Sequence, residues 1–337
     1  MVYLEFERRR TRCKHTGVVR QEPLGWLSET PGYTKRFAYY VGKRCQSSTI
    51  KEVADELHLD WKTAKNLEKE YMAEKLKRAG TREPAVLGID EISVRKGHEY
   101  RIIVSDLEAR RPIWFGGKDR SKESLDLFYA SINSLQKDKI RLAVMDMWPA
   151  FEKSTREHVP HAAILYDKFH VIGHLNDALD TIRKQEYGRV SEKDRKFIKG
   201  KKYTLLSRQA NLTTEGRKAL KELLAANKRL STAYLLKERF DQLWTYNREA
   251  WARKFFDNWK VSLKWQRLKP YEKFASMIER HWEGIAAYCR PENKVALGYV
   301  EGLNNKIRVI QRRTYGLRDE EYLRLKILTC TLPDFNP

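Results

Sequence analysis

Apolar residues recur at two different periods along this chain, and the change of period marks its parts. Between 48 and 78 they fall at Ile50, Val53, Ala54 and Leu57, the i, i+3, i+4, i+7 spacing of one helix face. Ser48 and Thr49 stand where that helix needs a cap. His58-Leu59-Asp60 makes a short turn, and Asp60 can cap a second helix from Trp61. This is helix-turn-helix spacing, with Lys62, Thr63, Lys65 and Asn66 in the part of the second helix that meets base edges; an ordinary helical hairpin is the plainer alternative. The segment is bounded at 48–80 and followed by a linker, Ala79-Gly-Thr-Arg-Glu-Pro84.

From Ala85 the apolar runs shorten to strand length. Strands are expected at Ala85–Asp90, Tyr100–Asp106, Arg111–Phe115, Ile140–Met145 and Ala162–Tyr166. Helices are expected from a Ser121 cap to about Leu135, over Pro149–Val159, and from near Lys168. The order β-β-β-α-β-α-β-α is that of an RNase H-like α/β core with a mixed sheet. In it the first and fourth strands lie side by side and parallel. Residues 84–175 form the first part of this core and 291–330 its final part. The stretch 176–290 lacks strand patterning and reads as a helical insertion. Phe240, Trp244, Trp251, Phe255 and Trp259 recur there at spacings of four and seven, an apolar helix face most simply buried as core.

Charge narrows the function. The 337 residues carry 67 Lys+Arg against 45 Asp+Glu, a net charge of +22, which calls for a polyanion such as DNA. Between Arg183 and Arg229, within the insertion, there are 15 Lys/Arg and five Asp/Glu. Nine Trp exclude a disordered basic tail. No apolar run suits a membrane span, the first ten residues lack a secretory h-region, and the four cysteines show no disulfide framework; a reducing cytoplasm is expected. Residues 1–47 read as a basic arm. Cys13-Lys14-His15 supplies only one weak half of a zinc knuckle, so zinc is not expected.

Within this frame, three acidic residues carry the candidate chemistry. Asp90 and Asp146 end the first and fourth strands, and ligands of open α/β sheets bind at such ends. Glu301 lies in a helical stretch 155 residues further on. Two such Asp and a distant Glu suit two divalent ions, Mg²⁺ or Mn²⁺, at a phosphodiester. On the Glu301 helix, Val300, Leu303, Ile307 and Ile310 form one apolar stripe. Glu301, Asn305, Arg308 and Arg312 share the neighbouring face, flanked by Asn304 and Lys306, as a track along a DNA strand. Asp167 and His170 make a D-x-x-H pattern at a helix start near the same edge, a supporting pair or a satisfied structural histidine. Trp148 could stack on an unpaired base; core packing is its bland alternative.

Gly88-Ile-Asp90-Glu, Met145-Asp-Met-Trp-Pro-Ala-Phe151, Asp167-Lys-Phe-His-Val171 and Glu301-Gly-Leu-Asn-Asn-Lys-Ile-Arg-Val-Ile-Gln-Arg-Arg-Thr-Tyr-Gly316 resemble the motifs of bacterial insertion-sequence transposases of the ISL-three group. The resemblance covers about Thr11 to Leu328. It implies a DDE enzyme with Asp90, Asp146 and Glu301 as catalytic and metal-binding residues, cutting and joining DNA at transposon ends and acting as a multimer on DNA. That group carries an N-terminal zinc ribbon before its helix-turn-helix, and this sequence starts inside it without the first knuckle. Two readings compete: a transposase-derived DNA-binding protein without catalysis, and an RNase H-like nuclease that cuts without strand transfer.

Overall fold

The computed structural model describes residues 3–95, 99–314 and 319–335. They divide into two compact units, one of residues 1–81 with 307–337 and one of residues 82–306. The sequence-based division kept 291–330 together; the contacts divide it at Ile307.

In the first unit, β1 (Arg10–Arg12) and β2 (Val19–Gln21) form an exposed antiparallel hairpin whose turn carries Cys13-Lys14-His15. α1 (Lys35–Arg44) follows, a helix the residues had not disclosed because turn signals at Thr30-Pro31-Gly32 precede its Thr34 cap. Its Gly42 is a packing requirement: a Cβ there would meet the Tyr71 ring at 2.2 Å. α2 (Ile50–Glu56) opens with a reciprocal cap in which Thr49 and Glu52 satisfy each other's backbone N–H. His58, at φ +50°, turns the chain, and Asp60 accepts from Lys62 N–H to start α3 (Trp61–Ala79). Ala38, Val41, Val53, Ala54, Ala64 and Leu67 close a small core between these helices.

The second unit is built on a five-stranded mixed sheet. β3 (Val86–Arg95), β4 (Glu99–Asp106) and β5 (Arg111–Gly116) are antiparallel. α4 (Lys122–Ala130) follows a Ser121 cap, and α5 (Ser134–Asp138) has its own capping box from Asn133. The single helix expected to Leu135 is thus broken at Ser131-Ile132-Asn133, where Asn133 restarts it. β6 (Leu142–Met145), α6 (Pro149–His158), β7 (Ala163–Tyr166) and α7 (Lys168–Arg189) complete the pattern. The spatial order is β5-β4-β3-β6-β7, with β3, β6 and β7 mutually parallel.

After α7 come α8 (Glu192–Ile198), α9 (Lys202–Leu206), α10 (Thr214–Ala226), α11 (Lys228–Phe240), α12 (Glu249–Ser262), α13 (Lys269–Arg280) and α14 (Trp282–Ala286). Short 3-10 turns intervene, and no strand occurs among the described residues of 176–290. The aromatic stripe is mostly core: Phe240, Trp244, Phe255 and Trp259 are buried, and Trp259 Nε1 donates to Leu236 O at 2.9 Å. Trp251 departs from the stripe and is 56% exposed.

α15 (Gly298–Arg313) and α16 (Glu320–Thr329) end the chain. The two faces of the sheet are covered differently. Leu87, Ile89, Ala143, Met145, Ile164 and Tyr166 face a core shared with α4, α6, α7 and the insertion. Val86, Leu142, Val144 and Leu165 face the other way, against Leu297 and Val300 at the start of α15.

Acid should loosen the first unit. Asp319, the α16 cap, is held down to about 2 by the Lys65 ammonium, and Asp334 to about 2 chiefly by the Gln46 amide, with Lys75 and Tyr71 also donating. An ordinary Asp titrates near about 3.9. Because both folded values are depressed, their stabilisation is present above about pH 4 and disappears as pH falls toward 2. Thermal unfolding followed from pH 5 to pH 2 should show a loss of stability that Asp334→Asn makes shallower. Identical pH profiles for the two proteins would remove Asp334 from that account.

Candidate active site

The site follows from strand register. Gly88 pairs with Val144 across β3 and β6, and Val144 with Leu165 across β6 and β7. Two residues further along each strand direction stand Asp90, Asp146 and Asp167. Side chains alternate with period two, so these three point to the same side as Gly88, Val144 and Leu165, the side covered by α15. Neighbouring strands lie about 4.8 Å apart, which places three carboxylates in a row. Asp146 and Asp167 stand just past the ends of β6 and β7, but β3 runs on to Arg95 in its pairing with β4, so Asp90 is a mid-strand residue and not the end of its strand as the apolar run had suggested. Gly88 lets the helix approach: a Cβ there would meet Leu107 at 2.6 Å and Val300 at 3.2 Å. Glu301 follows Val300, and Asn304 stands three residues later, near Glu301 on the helix surface.

Each carboxylate has a defined setting. Asp90 is 6% exposed; its Oδ1 accepts from Glu91 N–H at 2.8 Å and its Oδ2 from Asn304 Nδ2 at 2.5 Å. Burial pushes the Asp90 carboxyl up, the two donors and the His170 ring pull it back, and Asp146 raises it further. Asp167 caps α7 through Phe169 N–H at 2.8 Å; burial raises its pKa, with Asp90 and Asp146 adding to the effect. Asp146 accepts from Met147 N–H at 2.6 Å, and its other oxygen lies 3.5 Å from His170 Nδ1. Glu91 is also raised, by burial first and then by Asp90 and Asp146, although Arg120 donates to it at 3.0 Å.

This accumulation of mutually repelling carboxylates is a setting that a cation would relieve. Hard oxygen donors side by side on adjacent strands suit a divalent ion. Yet no three His, Cys, Asp or Glu side chains among the described residues converge closely enough to hold one as they stand. Glu301 is exposed, and its helix reaches the row through Asn304.

Trp148 is neither buried core nor a lone exposed ring. Its Nε1 donates to Arg120 O at 2.7 Å, and the Arg120 guanidinium lies between the rings of Trp148 and Tyr100, 4.7 and 4.5 Å from their centroids. Asn305, Lys306, Arg308 and Arg312 lie exposed on α15, while the contacts to the acid row come from its first half. On α3, Lys62 and Asn66 are exposed at i, i+4, and Thr63 is half-buried. Lys65 is tied back: its ammonium lies 2.7 Å from Asp319, which Lys69 also approaches at 3.4 Å.

Comparison with known proteins settles what this combination belongs to. Residues 87–327 match a family model described as a transposase, and residues 22–72 match the helix-turn-helix domain of transposase family ISL3. The chain belongs to the ISL3 transposase family. The transposase for insertion sequence element IS1001 of Bordetella parapertussis is 34% identical, covering 97% of this chain and 80% of that protein. The transposase for insertion sequence element IS1557 of Mycobacterium tuberculosis is 25% identical, covering 100% of this chain and 80% of its own length. The mixed sheet is accordingly the RNase H-like core of a transposase, and the α1–α3 unit carries its helix-turn-helix. The helix-turn-helix match begins at 22 and takes in α1, ahead of the boundary at 48 read from periodicity.

Two residues of this transposase gain weight from the geometry. Asp167 shares the register row with Asp90 and Asp146, which its D-x-x-H pattern alone did not disclose. Asn304, read from the sequence only as a flank of the track, is the side chain that reaches Asp90. The signal for it was present: two adjacent Asn in a helix are poor helix formers and ask for a reason. No described helix is long and apolar enough to cross a membrane.

Proposed function

We propose that Asp90, Asp146 and Glu301 are the catalytic carboxylates of this transposase, acting at the two ends of its element. The observation that carries the reading is the register that sets Asp90 beside Asp146 under the start of the Glu301 helix. Asp167 and His170 support the row. Two divalent ions, Mg²⁺ or Mn²⁺, when bound, would neutralise charge on the attacking and leaving oxygens. The chain's own residues do the rest. Asn304 orients Asp90, and His170 stands beside the outer oxygen of Asp146. Asn305, Lys306, Arg308 and Arg312 contact the DNA strand. Water first displaces a 3′-oxygen at the transposon end, leaving a 3′-hydroxyl. That hydroxyl then attacks a target phosphodiester, and the target's own 3′-oxygen leaves. Position and charge neutralisation supply the acceleration, with no covalent protein intermediate.

Terminal inverted repeats are the cognate DNA in this reading, with Lys62 and Asn66 of α3 facing base edges and Thr63 and Lys65 behind them. Asn can pair both amide groups with adenine. Asn66→Ala should therefore reduce the preference for end DNA over random DNA by about five- to a hundredfold, leaving non-specific affinity nearly unchanged. Equal losses on both DNAs would take base reading away from Asn66. A homo-oligomer on DNA follows from the need to process two ends together. Cys13, Cys45, Cys289 and Cys330 form no disulfide, which suits a reducing cytoplasm.

The test is incubation with Mg²⁺, a duplex carrying the element's ends, and a target duplex. Nicked ends and joined products are expected. Nicks without joined products would favour the nuclease reading, and binding alone the non-catalytic one. Affinity for the ends should also fall steeply with salt, because Lys and Arg displace condensed counterions.

A further inference from the structure

Beside the acid row the second unit contains a cavity of about 540 Å³ whose chemistry the catalytic residues do not use. It is lined by Lys168, Phe169 and Asn176 of α7, by Arg208, by Tyr288, and by the chain up to Gly298. Its position follows from connectivity. Lys168 is the residue after Asp167, and Gly298 lies three residues before Glu301, so both elements that flank the acid row also wall the cavity.

The charges around it are unevenly satisfied. Arg208 is held by both oxygens of Asp241, at 2.9 and 2.8 Å. Lys237 donates to the carbonyls of Leu206 and Ser207 and lies 3.2 Å from Glu238. Lys168 is half-buried, lies 5.5 Å from the Trp244 ring centroid, and has no carboxylate within ion-pair distance among the described residues. Burial lowers its pKa against the pull of the Asp241 carboxylate, which Arg208 already holds, and the Arg208 guanidinium adds to the lowering. Asn176 Oδ1 is buried without a hydrogen-bond partner, so its amide has acceptor capacity the protein leaves unused. Phe169 is 48% exposed, an aromatic ring not committed to the core.

We propose that this cavity receives one nucleotide of the DNA strand adjacent to the phosphate being cut, its phosphate on Lys168 and its base against Phe169. The inference rests on the transposase reading of the acid row. The volume lies within the usual range for small-ligand sites, about 300 to 1,000 Å³. Lys168 directly follows Asp167, with Cα atoms about 3.8 Å apart, so a phosphodiester held by cations at the acid row would bring the next backbone phosphate toward Lys168. A base offers a π face to Phe169 whatever its identity, so the site holds position and adds little sequence preference.

The test is a thermodynamic cycle between protein and DNA, read as binding in Ca²⁺ to end duplexes nicked at the cleavage position. Each nucleotide flanking the nick is made abasic in turn, and each adjoining phosphate is replaced by a neutral methylphosphonate. One base deletion should weaken binding to the wild-type protein about five- to a hundredfold. Phe169→Ala should weaken intact DNA to a similar degree and abolish the further effect of that deletion. Lys168→Met should do the same for one methylphosphonate position, and Lys168→Arg should restore it. Phe169 is exposed, so truncating it leaves no hole in the buried interior. Specific binding of intact ends with purely additive losses at every position would overturn the cavity's role and leave the transposase reading standing. Equal binding of ends and random DNA would defeat both.

Discussion

Changing Asp146 or Asp90 to Ala should lower strand cleavage at the element's ends at least about a hundredfold, with binding of the same DNA nearly preserved. The effect is large on the proposed role, because the two residues stand side by side on adjacent parallel strands, where they would hold the ions that neutralise charge on a phosphodiester. Asp90 should also show a folding effect of the opposite sense. Its carboxyl is buried and raised by that burial, so on the proposed role removing it relieves a cost that the hydrogen bonds from Asn304 and Glu91 N–H only partly offset. Asp90→Ala should therefore abolish cleavage without lowering thermal stability. A fall in stability together with a fall in DNA binding would mean that Asp90 is a structural residue.

The second large effect is expected at Asn304. Its Nδ2 is the side-chain donor to the inner oxygen of Asp90, and partners of this kind commonly set ligand affinity and activity by about ten- to a hundredfold. Asn304→Leu keeps roughly the same bulk and removes the donor, so both Mn²⁺ affinity and cleavage should fall by that factor. Asn304→Asp should do more harm, because it sets a fourth carboxylate beside a row that already repels itself. The exposed neighbour Asn305 makes the comparison sharp. If Asn305→Leu reproduced the metal effect and Asn304→Leu did not, the contact to Asp90 would have no functional weight.

Much of this was legible in the residues because the decisive features are local. Caps at Thr49, Asp60 and Ser121 and the short apolar runs that become β3 to β7 announce themselves within a few positions. Asp146 was readable because a strand end is a local event, whereas Asp90 closes an apolar run but not its strand, which continues to Arg95. Three things were not. α1 lies behind a proline-glycine turn, and its buried face of Ala38, Val41 and Gly42 includes a glycine whose role appears only when Tyr71 packs on it. Lys65 looks like a base-reading residue until α16 brings Asp319 to it from 254 positions away. The rank of Asp167 depends on the pairing of Met145 with Tyr166, a register that periodicity alone does not fix. Long-range pairing decides such cases, and no single stretch of chain contains it.

The central claim is that Asp90, Asp146 and Glu301 serve one metal-dependent centre. Anomalous diffraction from crystals of the protein with end DNA and Mn²⁺ tests it most directly. The account predicts density for bound Mn²⁺ within coordination distance of carboxylate oxygens from all three residues. Mn²⁺ bound by Asp90 and Asp146 with Glu91 or Asp167 as the third acid, and Glu301 turned away, would contradict it.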